Sequence, residues 1–144
     1  MTTGYSGTPL AKKLGIKEGF RILTVGPPLN YSKLVSPLPE GTEIQDTETS
    51  AYVTDRSNFD LIHVFTNSRD DLFRGLAEYR SLIKQDGIIW VSWYKKAARL
   101  PTEITEDTVR EAALPLGLVD VKVCAVDEKW SGLKLVIRKE NRER

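Results

Sequence analysis

At 144 residues, with 40% hydrophobic and 28% charged side chains, the chain has ordinary globular composition, long enough for one buried core and too short for two enzyme-sized domains. Its 21 basic and 20 acidic residues leave a formal charge of +1, which excludes a global field steering it toward nucleic acid or an anionic membrane. A single cysteine, Cys124, and a single histidine, His63, exclude an intramolecular disulfide and a structural Cys/His zinc site.

In chain order, Thr8 is expected to cap a helix with Pro9 at its first position, Leu10, Ala11 and Leu14 on its buried side and Gly15 as its stop. Residues 20–25 form an apolar run that reads as a buried strand ending at Gly26-Pro27-Pro28. Asn30 opens a short helical piece that lasts to Val35 and is ended by the proline-rich stretch 37–41. A weak second strand covers 42–45, and 47–58 lacks any period and reads as a connection. Residues 59–66 are apolar, β-branched or aromatic almost throughout, as a central strand covered on both faces requires.

Ser68 and Asp71 have the spacing of a capping box, and Leu72, Leu76, Tyr79, Leu82 and Ile83 recur at helical spacing until Asp86-Gly87. A fourth strand over 88–94 places Trp90, Ser92 and Tyr94 on one face and Ile89, Val91 and Trp93 on the other. Thr105 caps a further helix, Glu106 and Asp107 suit its positive end, and Pro115 closes it. Residues 119–126 and 133–137 are two strands joined by the loop 127–132 into an antiparallel hairpin. Residues 1–138 are thus expected to form one domain, with 139–144 as a charged, frayed tail. No run resembles a signal-peptide core or a membrane span, so a cytoplasmic location is expected.

Helices alternating with strands imply right-handed crossovers and a three-layer, Rossmann-like α/β fold on a mostly parallel sheet. The terminal antiparallel hairpin is how methyltransferase-like versions of that fold end. Ligands of such sheets bind outside the carboxyl ends of the strands. That edge should collect Gly26, Asp46, residues 66–69, Lys95 and Lys96, together with the helix-capping loop Tyr5, Ser6, Gly7 and Thr8. If the strand over 119–126 is parallel to the others, Asp127, Glu128, Trp130 and Ser131 join them.

The turn after the first strand argues against a dinucleotide. A pyrophosphate needs backbone N–H groups in a G-x-G-x-x-G turn, and Pro27 and Pro28 remove two of them. No cofactor is predicted; S-adenosylmethionine, which carries no phosphate, remains compatible. Asp46, about twenty residues past Gly26, stands where a ribose-binding acid would sit, although Glu43 and Glu48 show that acids are common here. The Tyr5–Thr8 loop reads either as an anion cradle or as an ordinary capped helix start. Lys95 and Lys96 suit a phosphate or carboxylate, or are solvated loop lysines. Asp127 and Glu128 are an acid–base pair or a solvated hairpin tip, and Trp130 must cover its own sheet rim, a ligand or a partner. His63 and Cys124 lie mid-strand and read as core, and no G-x-S-x-G elbow, H-E-x-x-H or P-loop is present.

Three stretches resemble a family of small bacterial proteins known only as a domain of unknown function: GYSGTPLAKKLGIKEG, the Trp93, Lys95, Lys96 pattern, and TEDTVREAALPLGLVDVKVCAVDEKWSGLKLVIRK. The resemblance implies a bacterial, cytoplasmic, Rossmann-like domain and brings no activity with it. Family members often carry a proline before the two lysines where this chain has Tyr94. The expected function is a non-catalytic small-ligand-binding or regulatory domain for an anionic or adenosyl-type ligand, with no catalytic residue assigned. The alternatives are a divergent S-adenosylmethionine-dependent methyltransferase and a protein-interaction module, with a protein partner or second copy, in which Trp130 is the anchor. Nucleic acid and membranes are not expected partners.

Overall fold

The computed structural model describes residues 8–47 and 58–143; Tyr5, Ser6, Gly7 and most of the 47–58 connection lie outside them. Six strands, β1 (Arg21–Val25), β2 (Glu43–Thr47), β3 (Phe59–Phe65), β4 (Ile83–Tyr94), β5 (Leu118–Ala125) and β6 (Trp130–Ile137), form one sheet in the order β2-β1-β3-β4-β6-β5. β1 pairs in parallel with β2 and β3, and β3 with β4. β6 is antiparallel to both β4 and β5, so five strands share one direction and β6 alone runs back. The condition for bringing the hairpin tip to the carboxyl rim is therefore met. The strand order reverses between β1 and β3, the switch point at which open sheets of this kind form a crevice.

α3 (Arg69–Leu82) and α4 (Glu106–Ala113) cover one face, burying Leu72, Leu76, Val109 and Ala112 against Leu23, Ile62, Val64, Ile89 and Val91. On the other face, α1 (Leu10–Leu14) and α2 (Tyr31–Leu34) pack Ala11, Leu14 and Tyr31 over Ile22, Leu61, Phe65 and Trp90. The buried Trp90 Nε1 donates to the carbonyl of Leu14 at 2.9 Å, satisfying the indole and fixing the end of α1. No helix among the described residues is long and apolar enough to cross a membrane.

Several boundaries differ from those expected. Thr8 does not cap α1: Pro9 holds the cap position at φ −56°, ψ 142°, and its carbonyl already accepts from Lys12 and Lys13. β2 runs on to Thr47, past the expected 42–45. α3 stops at Leu82 because Ile83 is extended and pairs with Phe59, so the chain enters β4 before reaching Gly87. Residues 84–87 make a local excursion there, and a Cβ on Gly87 would come within 2.9 Å of the Lys84 carbonyl oxygen. Ser68 caps α3 by accepting from the Asp71 N–H at 3.2 Å, but its own N–H goes to Thr66 Oγ1, so only half of a capping box forms. The full box is at α4, between Thr105 and Thr108.

The hairpin differs most. Trp130 and Ser131 open β6 and do not lie in the turn, because the Asp127 carboxylate accepts the N–H groups of Lys129 and Trp130 at 2.8 and 2.9 Å and closes the loop early. After β6, residues Lys139–Asn141 form a 3-10 turn, with Arg142 Nε on the Ile137 carbonyl and the Glu143 N–H on Gln85 Oε1.

Candidate functional site

Parallel pairing brings the ends of β1 to β5 and the start of β6 to one edge. Gly26 leaves β1 at φ +62°, its N–H donates to the Thr47 carbonyl at 2.8 Å, and a Cβ there would meet the Phe65 carbonyl oxygen at 3.1 Å. Glycine is needed here so that β1 and β3 can approach, and also for the left-handed turn that aims Pro27 and Pro28 outward.

Three clefts lined by described residues follow one another along the rim. The first, about 280 Å³, lies beside the ends of β1 and β2 and is lined by Pro27, Pro28, Leu29, Tyr31, Ile44 and Asp46. The second, about 580 Å³, lies between the Pro28–Leu34 segment and the hairpin tip, and includes Tyr94, Asp127, Glu128, Lys129 and Trp130. The third, about 610 Å³, lies between the end of β4 and the start of α4, and includes Lys95, Lys96, Ser131 and Arg110. Among the described residues, Asp46, the group Asp127, Glu128 and Trp130, and the group Lys95, Lys96 and Ser131 line different clefts, and Gly26 lines none of the three. Thr8 is exposed and lines none of the three.

Each cleft has its own chemistry. In the first, the Asp46 carboxylate is exposed while the buried Thr24 hydroxyl donates to it, which fixes the direction of the acid. Beneath it, the Tyr31 hydroxyl lies 3.0 Å from His63 Nδ1, and His63 Nε2 lies 2.7 Å from Ser92 Oγ. A neutral imidazole has one donor and one acceptor, so it bonds both hydroxyls at once. Burial holds His63 at about 3, well below its ordinary 6.5, and burial with the Asp46 charge pushes the Tyr31 phenol upward.

In the second cleft, Trp130 is 9% exposed and stands edge-on to Phe65 (5.0 Å between centroids) and against Tyr94 (4.5 Å), so the indole covers the rim of its own sheet. Asp127 spends one carboxylate oxygen on the turn, and Glu128 is exposed. In the third, Arg110 bonds Asp120, Glu106 and Asp107 at 3.0, 2.8 and 3.0 Å, and these carboxylates raise its pKa further.

Sequence reading missed Tyr31 and Arg110, and it placed Asn67, within 66–69, at this edge without a role. Asn67 Oδ1 accepts the Tyr94 N–H at 2.8 Å, and its carbonyl accepts the Glu103 N–H at 2.9 Å, fastening the loop after β4 to the end of β3. Only Arg110 had a readable signal, its spacing of three and four residues from Asp107 and Glu106. His63 is fully buried; Cys124 is half-buried mid-strand, and burial raises its thiol pKa. Neither lines any of these three clefts. No group of three or more His, Cys, Asp or Glu side chains among the described residues could hold a metal ion.

Solved structures share this fold. A SAM dependent methyltransferase from Aquifex aeolicus aligns with a TM-score of 0.63 at 18% identity, over 89% of this chain and 87% of that one. The fibrillarin of Aeropyrum pernix, in complex with natively bound S-adenosyl-L-methionine, aligns at 0.60 and 15% identity, over 92% and 70%. A chain of the Haloferax volcanii complex that contains the Trm112 methyltransferase activator aligns at 0.65 and 10%, over 93% and 89%. The architecture is accordingly a methyltransferase-like Rossmann fold. No curated protein sequence matches the chain. Residues 40–139, well over half of the chain, match the family described as "Protein of unknown function (DUF3052)", and the protein belongs to that family.

Proposed function

We propose that this protein is a small-ligand-binding domain that takes an adenosyl-type ligand in the cleft beside the ends of β1 and β2. The observation that carries this is the Asp46 carboxylate, exposed at the carboxyl end of β2 and held in direction by Thr24. A carboxylate on the strand next to β1 is placed to accept both hydroxyl protons of a ribose. Ile44, Pro28 and Leu29 offer an apolar surface for a purine, and about 280 Å³ is close to the lower end of the roughly 300–1,000 Å³ usual for small-molecule sites.

The turn supports S-adenosylmethionine over a dinucleotide. Pro27 and Pro28 provide no N–H for a pyrophosphate, and a sulfonium-linked adenosyl group requires none. When bound, that cofactor would supply an electrophilic methyl group; Asp46 would hold its ribose and Tyr31 would brace the cleft wall. Methyl transfer is the second reading, favoured by the likeness of the six-stranded sheet to a SAM dependent methyltransferase. An interaction module anchored by Trp130 has less support, since the indole is buried against Phe65 and Tyr94.

Calorimetry with S-adenosylmethionine and S-adenosylhomocysteine tests the proposal. Saturable binding is expected, and Asp46→Ala should weaken it about tenfold to a hundredfold, the worth of charged hydrogen bonds. Absence of saturation by either compound, or unchanged affinity in the Asp46→Ala protein, would overturn it.

A further inference from the structure

We infer that the third cleft, between the end of β4 and the start of α4, is a second site that binds a small organic oxyanion, a carboxylate or phosphate ester on an apolar body. It requires no adenosyl ligand, and its argument is separate from that of Asp46.

The cleft's charge is the first ground. Lys95 and Lys96 enter it side by side, and neither has a carboxylate partner among the described residues. Two acids share the wall, Glu106 and Asp107, but both are engaged by Arg110, at 2.8 and 3.0 Å. Arg110 also bonds Asp120, so the two acids direct their carboxylates to the guanidinium and make no ion pair with the lysines.

The cleft is also built before any ligand arrives. Tyr94 donates its N–H to Asn67 Oδ1 and Lys95 donates its N–H to the Lys129 carbonyl, both at 2.8 Å. On the far side of the loop, Glu103 donates its N–H to the Asn67 carbonyl at 2.9 Å, and its carboxylate accepts the Arg69 N–H at 2.8 Å. Four bonds thus hold both ends of the segment that carries the lysines, which lowers the ordering cost of binding. Trp93 and Ile104 make the floor apolar, and about 610 Å³ accommodates a ring-sized body. Lysine ammonium groups above an apolar floor select a molecule with an anionic head and an apolar remainder.

The probes are phenyl phosphate, benzoate and neutral benzamide, titrated by calorimetry into the full chain with no adenosyl compound present. Both anions should saturate, benzamide should bind at least about tenfold more weakly, and a Lys95→Gln/Lys96→Gln variant should lose about tenfold or more in anion affinity. Tighter binding of phenyl phosphate would identify phosphate esters as the source, and tighter binding of benzoate would identify carboxylates. Raised salt should weaken both anions in the wild-type protein, a measurement that does not depend on the variant folding. The inference is overturned if neither anion saturates, if benzamide binds as tightly, if salt has no effect, or if the folded lysine variant keeps its affinity.

Discussion

The two faces of the sheet are both buried at the central strands and are chemically unlike. Under α3 and α4, β1, β3 and β4 present Leu23, Val25, Ile62, Val64, Ile89 and Val91, an entirely apolar surface. Under α1 and α2 the same strands present Thr24, His63 and Ser92, each 0% exposed, between Ile22, Leu61 and Trp90. Every buried polar side-chain atom among the described residues has a partner. The first face holds the fold by packing. The second spends part of its area on a polar line that runs from Ser92 through His63 to Tyr31, the aromatic wall below Asp46.

The contrast is easiest to break on the apolar face. Leu76→Ala, at a fully buried position of α3, should cost about 2–5 kcal/mol in denaturant unfolding, because the cavity adds to the lost transfer energy. A loss well under that range would show that this face does not carry the packing assigned to it. On the polar face, His63→Leu should cost about 1–3 kcal/mol, since it strands the Tyr31 and Ser92 hydroxyls without a partner. The triple variant Tyr31→Phe/His63→Leu/Ser92→Ala removes the stranded groups as well and should be more stable than His63→Leu alone. If the triple variant is the less stable of the two, the hydrogen-bonded line is not what the single substitution damages.

The smallest effect near neutral pH is the most diagnostic. His63 titrates at about 3 when folded against an ordinary 6.5, so on acidification the unfolded chain takes up its proton first. Its contribution to stability is complete above pH 6.5 and is lost as pH falls from there toward 3. One proton gives a slope of up to about 1.4 kcal/mol per pH unit. The unfolding free energy of the wild-type protein minus that of the triple variant should decrease between pH 7 and pH 5, since only the wild type carries the histidine. Parallel curves would mean that His63 meets its proton equally in both states.

The strands at the centre were legible because β1, β3 and β4 are buried on both faces, and such strands announce themselves as continuous apolar runs. Helix starts were legible where a hydroxyl caps, as at Ser68 and Thr105. They failed at Thr8, where a proline carbonyl took over. The end of α3 was hidden because Ile83 suits a helix face and a strand equally, and only its pairing with Phe59 decides. Topology alone names the edge at which the described strands end, beside Gly26, Asp46, Lys95 and Asp127, yet the division of these residues among clefts was not readable. That division depends on Asn67 and on a backbone bond from Lys95 to Lys129, neither of which has a signature in residue spacing.

The Lys95–Lys129 bond also sets a rule for chemistry done on this protein. Tyr94 borders both the second and third clefts, with the bond fastening the strand end to the hairpin beside it. Because the one tyrosine lines both compartments, a substitution there reaches both at once and cannot be used to tell them apart.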